Sequence, residues 1–440
     1  MISVVIPTYE QANQGARYLT ELLNSIRNQK VSFPFEVVIS DNATDGSILS
    51  VLDSFQDLYI RYSPNHIRGA SENINNAIDL AKYDKVKIMC QDDVFLRPNA
   101  LELFSKALDV SGWAISNSKH LDANSNLTGR RLTKYTHGNF AENITGMPSV
   151  IGFRKCDMRF NTNLKTVCDM YFYHQLYELY GPPVVINEFT IGQRYHNASL
   201  SRNQPSHHQR DVNWLIRNGK IEGKLPKVVV AVVVYDRYEN IHRWIECWQQ
   251  CDTYNSELVI INNGTKNIET NHKVINRPNI GYDIGALQDV CRNRLPGFPD
   301  YDYLIWCTDD VVPMEKDFIH RYIDCFSKRV QVACMHLSKE ITPHIRTTGF
   351  CISKATAQRL QFPADPVTTK EQCYQFEYKS RNSFYNQIVR SGGKIVQVAP
   401  YESSPLYDMN YWCRNEEAKK IKDQLYRLDH HIKVFGELKT

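Results

Sequence analysis

The chain has 440 residues, 42% hydrophobic and 23% charged, longer than one hydrophobic core normally organises, so two domains of roughly 200 residues are expected. Its 52 lysines and arginines are scattered and nearly balanced by 48 acidic residues, leaving +4, which argues against nucleic acid and for small molecules, sugars or proteins as partners. Twelve cysteines without a CxxC pair read as reduced thiols, and no apolar run approaches the ~20 residues of a membrane span.

The first predicted element is the strand "SVVIPTYE", Ser3 to Glu10, met at once instead of the basic and apolar regions of a leader peptide. A cytoplasmic place is the expectation, with room for a peripheral position on the membrane face. Of five N-x-S/T sequons, Asn42 and Asn263 fall in loops assigned below to ligand clefts, where a glycan would block the site; this speaks against a secretory route. After the first strand, "YLTELLNSIRNQ" has helical spacing, "EVVISDN" (Glu36 to Asn42) is a second strand, and "NHIRGASENINNAIDLA", from Asn65, is a polar loop running into a helix. The apolar-rich "KVKIMC" then ends on two adjacent carboxylates, Asp92 and Asp93, in "CQDDVF".

The same plan returns. "AVVVYDR" (Ala231 to Arg237) matches the first strand, "ELVIINN" (Glu257 to Asn263) the second, "NIGYDIGALQDVC" (from Asn279) the loop and helix, and Asp309-Asp310 in "YLIWCTDDVV" the paired carboxylates. Four features in one order with slowly drifting offsets mark a tandem of related domains. The boundary falls in the Gly-rich, charged "RNGKIEGKLPK", Arg217 to Lys227, giving domains 1–222 and 223–440. Strands alternating with helices predict an α/β fold, each domain a mainly parallel Rossmann-like sheet flanked by helices, with ligands at the carboxyl ends of the strands. At the end of the chain, Ile421, Leu425, Leu428 and Ile432 form the stripe of an amphipathic helix, which packs on its own domain or mediates oligomer or membrane-surface contact.

Adjacent aspartates past a strand end repel each other unless something positive satisfies them. A hard cation does so, since Mg²⁺ or Mn²⁺ takes carboxylate oxygens together with substrate phosphates. Thr8, Glu10 and Asp41 should reach the same crevice as Asp92 and Asp93.

With these residues in view, "VVIPTYE", "VISDNATDGS", "NHIRGASENINNAI", "MCQDDVF" and "GQRYHNASLSRN" resemble, in order and spacing across about residues 1 to 205, the family 2 glycosyltransferases of GT-A fold. The resemblance implies that Pro7, Thr8 and Glu10 line a nucleoside pocket, that Asp41 bonds the base, and that Asp92 and Asp93 form the element serving the donor ribose and a Mn²⁺ or Mg²⁺ ion. It further implies that His196 completes the metal or diphosphate site and that Asp169, in "TVCDMYFYHQL", is the base that deprotonates an acceptor hydroxyl, Cys168 replacing a neighbouring acid. Where relatives carry an "ARN"-like segment this chain reads "SEN", Ser71 to Asn73, with Arg68 nearby, which leaves the donor base and sugar open.

In the second copy, "NRPNIGYDIGAL" resembles a segment of polysaccharide-assembling glycosyltransferases. Asp236, Asp283, Asp309 and Asp310 should line its crevice, Asn262 stands where the first copy has Asp41, and Glu377 is the candidate base. The implied activity is metal-dependent inverting transfer from UDP-, GDP- or dTDP-sugars to a glycan or lipid-linked glycan acceptor, twice over. A catalytic first domain with a carbohydrate-binding or scaffolding second one stays open. A dinucleotide oxidoreductase lacks its GxGxxG turn. Trp113, Trp214 and Trp306 are either sugar-stacking or core residues.

Overall fold

The computed structural model describes residues 1–196, 207–253, 255–326, 329–339, 341–399 and 405–408. The amphipathic C-terminal helix read from the sequence lies outside them. The chain divides into two compact units, Met1–Val212 and a second beginning at Asn213.

In the first unit, β1 (Ile2–Thr8), α1 (Gly15–Arg27), β2 (Phe35–Asp41), α2 (Ser47–Leu52), β3 (Ile60–Pro64), α3 (Ala70–Leu80) and β4 (Lys85–Ile88) follow one another. The four strands are parallel in the order β3-β2-β1-β4. β1 is buried along nearly its whole length, as a Val/Ile run covered on both faces must be. Its alternate side chains feed two layers. Val4 and Ile6 pack with Leu19, Leu22, Leu23 and Ile26 of α1, whereas Val5 packs with Ile74, Ala77 and Ile78 of α3.

Beyond β4 come β5 (Val94–Phe95), α4 (Ala100–Val110), β6 (Trp113–Leu121), β7 (Leu127–Arg131), β8 (Ile151–Arg154), α5 (Cys168–Tyr180) and β9 (Val184–Arg194). β8 is antiparallel to β4, β6 antiparallel to β8, and β9 parallel to β6.

The second unit opens with β10 (Val228–Val234), then β11 (Ser256–Asn262), β12 (Lys273–Asn276) and β13 (Tyr303–Thr308), parallel in the order β12-β11-β10-β13. Strand Gly349–Ser353 is antiparallel to β13, Val330–Cys334 antiparallel to that, and Lys394–Gln397 parallel to the last. Strand order and sense thus coincide with those of the first unit through seven strands. The fold is α/β, two mainly parallel blocks each flanked by helices. Trp113 and Trp306 are fully buried in the cores and are core residues, while Trp214 is half-buried. No cysteine among the described residues is paired. No described helix is long and apolar enough to cross a membrane.

Candidate active site

Parallel register decides what meets at the strand ends. Thr8 lies beside Asp41, and Val5 beside Ile88, so the turn after β4 emerges next to the end of β1. Gln91 fastens the two, accepting from the Tyr9 backbone N–H (3.0 Å) and donating to the Gly15 carbonyl (2.7 Å). Gly15 is required there, because a Cβ would stand 2.2 Å from the Tyr9 oxygen. Between them Gln11, Ala12 and Asn13 all adopt left-handed backbone angles, strain of the sort that persists where a loop is held for a purpose.

Asp41 is buried and firmly held. Its Oδ1 accepts from the Thr8 hydroxyl (2.8 Å) and the Ala43 N–H (2.9 Å), and its Oδ2 from the Tyr62 hydroxyl (2.8 Å). Burial, together with that bond to Asp41, pushes the Tyr62 phenol up to about 12. Glu10 accepts from the Thr44 N–H (2.7 Å) and hydroxyl (3.0 Å), and backbone donors hold its carboxyl below the usual range. Pro7 is half-buried and Arg68 exposed, on the loop before α3. In the "SEN" segment, Asn73 donates to the Thr8 carbonyl (2.9 Å) and accepts from the Ser40 hydroxyl (2.6 Å), bracing the ends of β1 and β2 from α3.

Asp92, Asp93 and His196 come together. His196 Nε2 lies 2.9 Å from Asp92 Oδ2. Asp93 Oδ1 accepts from the Arg194 N–H (2.8 Å), while its Oδ2 is buried with no hydrogen-bond partner among the described residues. Burial, then the Asp92 charge, pushes the Asp93 carboxyl up to about 8. Two carboxylates and an imidazole around one unsatisfied buried oxygen fit a hard divalent cation such as Mn²⁺ or Mg²⁺. Beneath them Lys87 is wholly buried, donating to the Ile88 carbonyl (2.7 Å) and to that of Ser149. Desolvation lowers its ammonium to about 7 against the pull of Cys90 and Asp93.

The pair is aimed by Arg194. Its side chain is 0% exposed, Nε donates to the Asp92 carbonyl (2.8 Å), and Nη2 reaches Glu21 on α1 (2.5 Å). Arg194→Met is expected to cost about 3 kcal/mol, because Glu21 loses its buried partner and the Asp92 carbonyl its donor; urea unfolding of the full chain would show it.

Asp169 sits in the first turn of α5, a favourable place for an anion. It is 7% exposed; Oδ1 accepts from the Met170 N–H (2.7 Å) and Oδ2 from the Asn143 side chain (2.6 Å). Burial outweighs these bonds and pushes its carboxyl up to about 7, suited to accepting a proton near neutrality. Burial likewise raises the Cys168 thiol to about 12, so it stands as a neutral side chain beside Asp169. The segment 143–149 joins this group to the Asp pair: Tyr173 of α5 donates to the Gly146 carbonyl (3.0 Å), and the Cys90 N–H to the Ser149 hydroxyl (2.7 Å).

In the second unit Asp309 follows β13, and its Oδ2 is likewise buried without a hydrogen-bond partner among the described residues. Burial, then Asp310, pushes its carboxyl up to about 7. Asp310 accepts from Thr308 and lies 3.7 Å from Arg237. Asn262 repeats the Asp41 contact, accepting from the N–H two residues on, that of Gly264 (3.0 Å), but its amide hydrogens go to Lys266 O and Asn276 Oδ1. Asp236, exposed at the end of β10, has a left-handed backbone (φ 60°). Burial raises the carboxyls of Asp283 and Glu377, and the charge of Asp283 adds to the rise at Glu377. Asp310 and Lys370 act on Asp283, and Arg346, Asp283 and Lys370 on Glu377. Glu377 lies on a single π-helical turn, Gln375–Lys379, a distortion frequent at functional sites. Lys370, Arg346, Lys87, Asn143 and Glu21 carried no signal in the sequence as site residues.

Residues 3–160 match the family model described as Glycosyl transferase family 2. No curated protein sequence matches the chain. Among solved structures, the chain is similar to S. aureus TarS 1-349 in complex with UDP-GlcNAc, at 22% identity over 51% of this chain and 67% of that one, TM-score 0.41. The longer S. aureus TarS is covered over 40% of its length, TM-score 0.39. The mannosyltransferase PcManGT from Pyrobaculum calidifontis, in complex with GDP-Man and Mn²⁺, is 17% identical over 51% of this chain and 65% of that one, TM-score 0.36. Residues 3–160, the part of the chain that matches the glycosyl transferase family 2 model, hold Thr8, Asp41 and the Asp92-Asp93 pair.

Proposed function

We propose that the chain is a bifunctional, metal-dependent inverting glycosyltransferase of surface polysaccharide or other glycan assembly, with one active site in each of two domains, 1–222 and 223–440. The observation that carries the reading for the first domain is the Asp92, Asp93 and His196 cluster around an unsatisfied carboxylate oxygen at the carboxyl end of β4. In the second it is the buried Asp309 at the matching strand end, with Asp283 and Glu377 in electrostatic reach of one another.

Asp41 and Asn262 hold the nucleoside of a UDP-, GDP- or dTDP-sugar at the ends of the second strands. Asp92, Asp93 and His196 would hold Mn²⁺ or Mg²⁺, which when bound supplies charge stabilisation for the departing nucleoside diphosphate. Asp169 takes the proton from the acceptor hydroxyl of a glycan or lipid-linked glycan, whose oxygen forms the new bond to the anomeric carbon as the diphosphate leaves. Glu377 has the same task in the second domain.

The test is release of nucleoside diphosphate from a panel of UDP-, GDP- and dTDP-sugars with Mn²⁺, for the full chain and for Asp92→Ala/Asp93→Ala and Asp309→Ala/Asp310→Ala. Two donors, each lost with a different pair, are expected. A single donor unaffected by the second pair would favour the other reading, a binding or scaffolding second domain, and no release from any donor with acceptor glycans present would end the proposal.

A further inference from the structure

One cluster of ligating side chains in the first unit is not used by the transfer chemistry. His174 and Glu178 are one turn apart on α5, and His137 reaches them from the loop 132–147. The ligating atoms of the three all lie within 4.8 Å of one another. His137 Nε2 already stands 2.8 Å from Glu178 Oε1. Its ring is stacked on that of His174, with centroids 4.7 Å apart and planes at 7°, and on Tyr177 at 4.2 Å. His174 Nδ1 is buried and has no hydrogen-bond partner among the described residues.

We infer that His137, His174 and Glu178 form a second metal site, for Zn²⁺ or a comparable imidazole-preferring ion, separate from the Asp92-Asp93 pair. The donor set decides the ion: two imidazoles and one carboxylate suit zinc, whereas a hard cation prefers oxygens throughout. The geometry is close. Two ligands bound at 2.0–2.1 Å in a tetrahedron stand about 3.4 Å apart; because stacked rings hold their lone pairs in nearly parallel planes, closing the set requires the half-exposed His137 ring to swing off His174 and Tyr177. An i, i+4 pair on a helix offers two ligands on one face, and the third, from a loop, makes the ion a clasp between the two.

The clasp has a consequence for the catalytic apparatus. The loop that carries His137 also carries Asn143, which donates to Asp169 (2.6 Å) at the start of the same helix. His174 lies five residues further along, about 7.5 Å of helix rise. An ion between His137 and α5 therefore fixes the loop whose other end positions Asp169. The metal binding itself does not depend on the proposed transfer reaction.

The test uses the tag-free full chain, stripped with chelator, in the Asp92→Asn/Asp93→Asn background so that the carboxylate pair takes up no ion. Zn²⁺ titration against a chromophoric chelator is expected to show uptake that falls on the order of 10–100-fold when His137→Ala or Glu178→Gln is added. Co²⁺ in the same protein should give the visible absorption of a tetrahedral site, absent in His137→Ala. Neither side chain is buried, and circular dichroism checks that the variants fold. No uptake, or uptake indifferent to both substitutions, would overturn the site. Hydrogen exchange across residues 132–147 should slow on Zn²⁺ addition; unchanged exchange despite binding would overturn the clasp.

Discussion

Asp169→Asn is expected to lower sugar transfer by about 10²–10⁴-fold without unfolding the protein. The substituted side chain keeps the shape of the carboxylate and its acceptor for the Met170 N–H but cannot take a proton. The pH profile separates this from a merely structural effect. Because burial raises the Asp169 carboxyl to about 7, wild-type kcat/KM should fall about tenfold per pH unit below that value as the base becomes protonated. The residual activity of Asp169→Asn should lack this limb. The stability sign is opposite to that of a salt-bridged aspartate. With the folded-state pKa above the unfolded one, Asp169 favours the fold while protonated, and that contribution is lost as pH rises from about 4 through about 7. At pH 8 the variant should therefore unfold no earlier than the wild type. A profile unchanged in shape, or an equal loss of activity and stability, would remove Asp169 from the role of base.

The second large effect is expected at Asp93. Asp93→Asn should lower metal-supported transfer roughly 10³-fold, the equivalent of several kcal/mol of charge stabilisation, and at the same time raise the unfolding midpoint of the metal-free protein. A buried carboxylate beside a second one, with one oxygen unsatisfied, is a liability in the absence of a cation. The amide removes the charge while keeping an acceptor for the Arg194 N–H. Thermal unfolding with and without Mn²⁺ gives the check. The wild type should gain stability with the ion, about 2.7 kcal/mol at a hundred times the dissociation constant, and Asp93→Asn should not. Equal stabilisation by Mn²⁺ in both would place the ion elsewhere.

Much of the fold and of the site is legible in short-range sequence pattern. The Val/Ile runs of β1 and β10 and the helices that follow them are local signals, and so is a strand ending on two aspartates. Register then sets Thr8 beside Asp41 and the end of β4 beside β1, and Gln91 fastens the turn that carries Asp92 to the same edge. What stayed hidden depends on contacts between residues far apart in the chain. Arg194 reaching back to Glu21, and Asn143 crossing to Asp169, are separated by 173 and 26 positions, and neither residue type announces its partner. Lys87 is a different case: a lysine in a short strand carries no sign of burial, and its ammonium is accommodated by lying over the rings of Phe95 and Phe104. Glu377 was legible as an acid on a helical stretch, whereas its π-helical turn and its burial beside Asp283 arise from tertiary packing.

The coincidence of strand order in the two units has a consequence for how such a molecule can change. In each, the four parallel strands form one side of a sheet that continues into an antiparallel strand, and the segments carrying Asp169 and Glu377 enter the chain only after the fourth strand has been laid down. An insertion or replacement in those later segments leaves the pairing of Thr8 with Asp41, or of Val234 with Asn262, untouched. In the first unit the two halves are nonetheless tied by Arg194, which reaches from the end of β9 to Asp92, Asp93 and Glu21. Chimaeras cut immediately after Asp93 should therefore fold stably only when Glu21 and Arg194 are retained together.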